Sequence, residues 1–294
     1  MPSRAWMQAG FALKALVAAG FRKLFSVKYF QAKYFGLYQK VFLPTGLFDG
    51  VSKRVRYRHG LTLHLHLGDW IQQTLYFLGA YEAREIAFLE RYLKPGDVVF
   101  DVGANIGLHT LVAAKMVGPT GKVYAFEPFR QNFEHLQEHI QLNGLTNVAA
   151  AELAVSDTDG PLDFFAPPPN NSGMGSRYRQ AVGSRPQVVQ AVALDRYAAD
   201  LPALNLVKID IEGGELLALR GMRNLLATHK PKVIMEIDRS ILQNAQLSDN
   251  DIVGFMAALG YHMQFITPSG HLSKAALADS STNFVFVHEQ DLVA

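Results

Sequence analysis

The residues best suited to chemistry stand where apolar runs end. Asp101-x-Gly103-x-Asn105-x-Gly107 follows the run VVF and precedes LHTLVAAKMV. Glycines at that spacing let a backbone turn approach a ligand without Cβ clashes, and the helix that follows offers unpaired N–H groups. The pattern is not the G-x-G-x-x-G of a dinucleotide turn, and no G-K-[ST] follows as in a phosphate loop. An acid comes first instead. A carboxylate is badly placed beside a pyrophosphate and well placed beside a cation, so Asp101 argues for a positively charged ligand without phosphate. The next apolar run, KVYAF, also ends in an acid, Glu127. At a strand tip such a carboxylate can accept both hydroxyls of a ribose. A sulfonium, an amino-acid tail and an unphosphorylated ribose together describe S-adenosylmethionine. The competing reading is that both acids merely cap helices.

A second group of acids gathers further along. LNLVKID ends in Asp210, with Lys208 before it and Glu212 and Gly213 after it, and KVIMEI carries Glu236 to the end of the following run. Three carboxylates meeting at one sheet edge are costly unless protonated, paired or bound to a cation. One acid acting as general base on a hydroxyl is one reading. Mg²⁺ held by Asp210 with Glu212 or Glu236 is another, and it would acidify the acceptor oxygen. Pairing with Lys208 or loop amides is the structural alternative. His109, on the first turn after the glycines, is a further candidate base or substrate contact, in competition with simple helix packing. His135 and His139, four residues apart, are expected on a solvent face, and His64 and His66 as exposed strand histidines.

These groups need a scaffold, and strand–helix alternation supplies one. Val98–Asp101 reads as a strand, Gly107–Met116 as a helix, KVYAFEP as a strand and Arg130–Leu142 as a helix. NVAAAELAVS reads as one strand, and DGPLDFF with PQVVQAVAL as an antiparallel excursion around PPPNNSGMGS, a polar loop that could cover the substrate or merely connect. LNLVKID, a helix over Glu215–Ala227, KVIMEI, a helix over Asp249–Leu259, YHMQFIT and NFVFVHE complete the chain. Apolar strands alternating with helices form a mainly parallel sheet covered on both faces. The expectation is an α/β fold with a seven-stranded sheet whose last two strands make an antiparallel edge. Ligands then gather at the carboxyl ends of the strands.

DVVFDVGANIGLHT, VYAFEP, AVSD and VKIDIEGGELLALRG, in that order over about residues 70–240, resemble the FkbM-type methyltransferases. The stretch from Val207 to Gly221 is the most distinctive. The resemblance implies a class I methyltransferase-like (Rossmann-like) fold and methyl transfer from S-adenosylmethionine to hydroxyls of sugars, polyketides or other small metabolites. It places Gly103, Ala104, Asn105 and Gly107 under the methionine portion, Asp101 near the amino group and Glu127 on the ribose. Ser156 and Asp157 become candidates for adenine contacts. Glu82, in GAYEAREI, is a candidate to close over the cofactor or a plain surface acid, and Asp210 counts with both the cofactor and the catalytic groups.

Composition limits the rest. The 294 residues include no cysteine, which excludes disulfides, thiolate zinc sites, iron–sulfur clusters and covalent attack on a pyrimidine. No apolar run reaches the roughly 18 residues of a membrane span, and FALKALVAAGF lacks a convincing cleavage site, so a cytoplasmic location is expected. Residues 1–58 carry eleven Lys/Arg against one acid, Asp49, while the remainder is net acidic. A boundary near residue 59 follows, with a basic, aromatic, helical extension over 1–58 and a methyltransferase domain over 59–294, its core from about 84. The extension, FRKLFSVKYFQAKYFGLYQKVF, reads as amphipathic helices docked on the domain, lying on a membrane surface, or packing a second subunit. Nucleic acid is the weakest partner, because neither a base-reading motif nor N/D-P-P-Y accompanies the charge. A carbohydrate or other small-molecule acceptor is favoured.

Overall fold

A computed structural model describes residues 4–178, 185–244, 246–274 and 283–292. The chain forms two compact units, Met1–Glu82 with Pro167–Gly173, and Ala83–Ala166 with Met174–Ala294.

The first unit contains α1 (Arg4–Leu24), α2 (Lys28–Gln31), α3 (Tyr34–Leu37), a π-helical turn (Tyr38–Phe42) and α4 (Leu43–Thr45). The hairpin β1 (Ser52–Arg56) and β2 (Thr62–His66) follows, and then α5 (Trp70–Leu78). Aromatic rings fill its core. Phe25 meets Phe77 edge-on at 5.5 Å and Phe42 meets Phe48 at 5.0 Å, arrangements favoured by the ring quadrupoles. Asp69 caps α5 by accepting from Gln72 N (2.9 Å), and left-handed Gly79 ends it. The other oxygen of Asp69 accepts from Ser172 N (2.6 Å), which ties the polar loop at 167–173 to this unit. The expected boundary at 59 falls inside the β1–β2 connection, because the two strands pair from Ser52↔His66 to Arg56↔Thr62.

The second unit opens with α6 (Ala83–Tyr92). It continues through β3 (Val98–Val102), α7 (Leu108–Val117), β4 (Lys122–Phe126), α8 (Arg130–Leu142) and β5 (Val148–Ala151). A small sheet follows, built of β6 (Ala154–Val155), β7 (Gly160–Phe164) and β8 (Gln187–Val192). Next come α9 (Leu194–Tyr197), β9 (Leu206–Ile209), α10 (Glu215–Gly221), α11 (Arg223–His229) and β10 (Lys232–Glu236). The end of the unit holds α12 (Arg239–Asn244), α13 (Asp249–Ala257), β11 (Tyr261–Ile266), β12 (Leu272–Ser273) and β13 (Asn283–His288).

The main sheet runs β12-β11-β13-β10-β9-β3-β4-β5, parallel from β5 to β10. This large, mostly parallel sheet gives the class I methyltransferase-like fold. Phe100, Phe126, Val207, Ile209, Val233 and Met235 bury one face of its central strands, and Val99, Ala125, Leu206 and Ile234 the other.

Three details differ from the reading of the sequence. The sheet has eight strands among the described residues, counting the two-residue β12. The last two long strands pair antiparallel as expected, but β13 lies inside, between β10 and β11, and the edge is the two-residue β12, antiparallel to β11. Val285, Phe286 and Val287 are buried consecutively and need cover on both faces, whereas β11 exposes His262 and Met263 and suits a more peripheral place. Finally, NVAAAELAVS breaks after Ala151, and its second half joins the small sheet.

Candidate functional site

The glycine turn sits at the carboxyl ends of β3 and β4. Gly103 adopts φ 81°, and a Cβ there would lie 1.9 Å from the Asp210 carbonyl oxygen. Only glycine lets these two chain segments touch. The amides of Gly103 and Ala104 both donate to the Phe126 carbonyl (3.0 Å each), which locks the turn against the end of β4. Asn105, at φ 50°, donates its N–H to Glu127 Oε2 (2.8 Å), and Phe129 N donates to Glu127 Oε1 (2.9 Å). His139 on α8 donates from Nδ1 to the Ile106 carbonyl (2.7 Å). Gly103, Ala104, Asn105, Gly107 and Glu127 are therefore brought together, as expected. The solvent face expected for His135 and His139 is not observed. Both are buried, and His139 is held there by its bond to Ile106 in the glycine turn.

Burial pushes the Glu127 carboxyl up to about 7, against the opposing pull of the Phe129 and Asn105 amides. The Asn132 side chain is a third donor to this carboxyl, which leaves one of its roughly four acceptor positions for a ligand hydroxyl. Asp101 lies within β3, fully buried, with Oδ2 accepting from Thr110 Oγ1 (2.5 Å). Among the described residues its Oδ1 has no hydrogen-bond partner, an uncommon state for a buried oxygen and one that a ligand can relieve. Burial raises its pKa, and the charge of Lys208 draws it back. Lys208 faces Asp101 across β3 and β9 in parallel register, and its Nζ donates to Asp210 Oδ2 (3.0 Å). His109 is buried on α7, and both burial and Lys208 hold its pKa well below the usual imidazole value. A ring so placed stays neutral and has little basicity, which fits packing better than proton abstraction.

The second acidic group assembles at the neighbouring strand tips. Asp210, Glu212 and Glu236 each bring an oxygen within 4.8 Å of the others. Burial, followed by repulsion from Asp210 and Glu236, pushes Glu212 up to about 9. Burial also raises Glu215 to about 7, although its Oε1 accepts from Gly213 N (3.0 Å). Ser176 Oγ donates to the Glu212 carbonyl (2.5 Å), and the Tyr178 ring lies against Gly213. The segment 176–178 thus borders the acidic turn.

Two expected cofactor contacts follow a different strand from the one the sequence suggests. Ser156 and Asp157 follow β6 of the small sheet, not the third strand of the main sheet. With Thr158, Asp163 and Arg177 they line a separate cavity of about 460 Å³ that no residue of the glycine turn lines. The tip of β5 presents Ala151 instead, whose carbonyl accepts from Glu127 N (3.1 Å). Glu82 ends the N-terminal segment of the first unit, at φ 46°. The residue missed in its neighbourhood is Glu85, buried on α6 with its pKa raised by burial and lowered by Lys208. The signal for it was present, since Glu85, Ile86, Phe88 and Leu89 share the buried stripe of one helix.

The Methyltransferase FkbM domain profile matches residues 101–263, more than half of the chain. A hexuronic acid methyltransferase, AglP, of Haloferax volcanii is 31% identical over 158 residues, covering 53% of this chain and 62% of that protein. The 31-O-demethyl-FK506 methyltransferase FkbM of Streptomyces tacrolimicus is 27% identical over 177 residues, 49% of this chain and 66% of that protein. A solved FkbM methyltransferase from Methylobacillus flagellatus KT shares 19% identity, with a TM-score of 0.43, over 73% of this chain and 47% of that one. The chain spans about three-fifths of the length of the first curated relatives it matches. With the glycine turn and the acidic turn inside the matched residues, the chain belongs to the FkbM methyltransferase family.

Proposed function

We propose that this chain transfers a methyl group from S-adenosylmethionine to a hydroxyl of a carbohydrate-type or other small acceptor. The observation that carries the reading is the contact of Gly103 with the Asp210 carbonyl, which sets the glycine turn directly beside the acidic turn. The residues fit the cofactor. The turn admits no side chain at Gly103, Asp101 keeps a buried oxygen without a hydrogen-bond partner among the described residues, and Glu127 keeps an acceptor position open. When bound, S-adenosylmethionine supplies a methyl group already activated by its sulfonium.

The protein's own contribution is then positioning and one proton. The turn from Gly103 to Gly107 bears the methionine portion, Glu127 takes the ribose hydroxyls, and Asp101 lies on the amino-group side. Alignment of the acceptor oxygen with the methyl group provides most of the acceleration such a displacement requires. Three carboxyls as close as Asp210, Glu212 and Glu236 do not all ionise together. Glu212 retains a proton near neutral pH, and a carboxylate of the trio accepts the proton of the acceptor hydroxyl. Glu85 and Lys208 set the charge behind it. The hexuronic acid named for AglP supports a sugar-like acceptor.

The convergence of the three acids within 4.8 Å favours a second reading, in which Asp210, Glu212 and Glu236 hold Mg²⁺ and orient the acceptor oxygen. A nucleic-acid acceptor is the remaining alternative, and it requires salt-dependent RNA or DNA binding that vanishes when residues 1–58 are removed. The test of the main reading is calorimetric titration with S-adenosylmethionine, followed by an acceptor screen by mass spectrometry. Methylated sugar acids or related glycosides support it, and methylation confined to nucleic acid overturns it.

A further inference from the structure

The first unit exposes a concentration of large apolar side chains along its N-terminal helices. The inward stripe of α1 is Ala18 and Phe21, continued by Phe25 just past its end. At about 100° per residue, Leu13 and Leu16 fall on the opposite side of that helix. They are 62% and 70% exposed. The chain that follows adds Val27, Tyr29, Phe35 and Leu43, all exposed. Of the twelve large apolar side chains exposed among the described residues, seven fall between residues 13 and 43. Scattered single exposures need no explanation, but this concentration in one short stretch does.

The same stretch is uniformly basic. Arg22, Lys23, Lys28, Lys33 and Lys40 are exposed, and no acid precedes Asp49 in the whole sequence. Large aliphatic side chains interleaved with lysines suit an interface that is apolar below and anionic above. We propose that the exposed apolar and basic side chains between Leu13 and Leu43 dock the protein on the surface of an anionic lipid bilayer, with leucine and aromatic side chains entering the headgroup boundary and lysines meeting lipid phosphates. Among the described residues no helix is long and apolar enough to cross a membrane, so the contact lies on the surface. A second copy of the chain is a poorer occupant, because it would bring two basic faces together. Nucleic acid is also poorer, because Leu13 and Leu16 offer phosphates nothing.

The inference stands independently of the methyl-transfer reading and is tested with the full chain. Co-sedimentation is measured with vesicles of phosphatidylcholine alone and of phosphatidylcholine with phosphatidylglycerol, at low and high salt. Light scattering and single-stranded RNA binding are measured alongside. The expected result is binding to the anionic vesicles, weakened by salt and weak on phosphatidylcholine alone. Each lysine near such a surface is worth about fivefold. Lys23→Gln with Lys28→Gln and Lys40→Gln therefore lowers the partition by on the order of a hundredfold. Leu13→Asp with Leu16→Asp lowers it as well, with circular dichroism, melting and cofactor binding unchanged, since both side chains are exposed. No sedimentation with anionic vesicles at low salt overturns the proposal. So does binding that both variants leave intact. A dimer dissociated by Leu13→Asp with Leu16→Asp, without vesicle binding, assigns the face to a second copy. RNA binding lost in the lysine variant, without vesicle binding, assigns it to nucleic acid.

Discussion

Replacing Gly103 by alanine is the sharpest perturbation of the cofactor cradle. The added Cβ would lie 1.9 Å from the Asp210 carbonyl oxygen, more than 1 Å inside ordinary contact, and the obstacle is backbone. Relief requires β3 and β9 to part at their tips, where Asp210 N donates to the Val102 carbonyl (3.0 Å). Losing that bond costs about 1 kcal/mol, and holding alanine at φ 81° costs roughly 1–2 kcal/mol more. With residual overlap, the total is on the order of 2–4 kcal/mol, equivalent to a fall of roughly 5–15 °C in the melting temperature of a unit this size. Gly107→Ala is the control. Its Cβ meets only Leu136 Cδ1, the end of a flexible side chain, at 2.5 Å, so about 1–2 kcal/mol is expected although φ is 94°. Urea denaturation gives the two stabilities, and calorimetry gives the affinity for S-adenosylhomocysteine. Gly103→Ala should be the more damaging in both. If it proves no worse than Gly107→Ala and binds as tightly as the wild type, the close approach of the two turns is wrong.

Glu212 holds its proton to about pH 9 when folded and to about 4.5 when unfolded, so the folded state binds more protons between those values and stability falls as pH rises through them. Thermal midpoints should decline from pH 5 to pH 9, and Glu212→Gln should flatten the profile; a wild-type profile that climbs over that range contradicts the buried trio. His139→Phe removes the donor to the Ile106 carbonyl and should cost about 1–3 kcal/mol while weakening cofactor affinity. Unchanged denaturation and affinity would show that His139 does not brace the turn. If the three acids hold a cation, millimolar Mg²⁺ raises the wild-type midpoint and Glu236→Gln removes the effect. A midpoint indifferent to Mg²⁺ and to chelator leaves the proton-transfer reading alone.

The cradle was legible because its chemistry depends on order along the chain. An acid, spaced glycines and a second acid at the next strand tip define positions that parallel strands bring together in only one way. The same logic located Asp210, Glu212 and Glu236. What escaped was whatever depends on which face a helix presents. Glu85 and Glu82 stand three residues apart, and only the buried stripe with Ile86 and Leu89 separates the functional candidate from the other. His139 looked solvent-facing on its polar helix until Ile106 supplied a buried partner. The strand that carries Ser156 and Asp157 escaped for a different reason. An apolar run of ten residues does not reveal that Glu152 and Leu153 break it, or that its second half pairs with β8. The interior position of β13 was equally hidden, because a strand buried on both faces and one at an edge differ in only a few side chains.

The central claim is that the Gly103 turn and Glu127 together hold S-adenosylmethionine. Calorimetric titration of the wild type and Glu127→Ala with that cofactor tests it most directly. The account predicts one site per chain in the wild type and an affinity at least about tenfold weaker in the variant, as expected when charge-assisted bonds to a ligand are removed. A wild type that does not bind, or a variant that binds equally well, contradicts it.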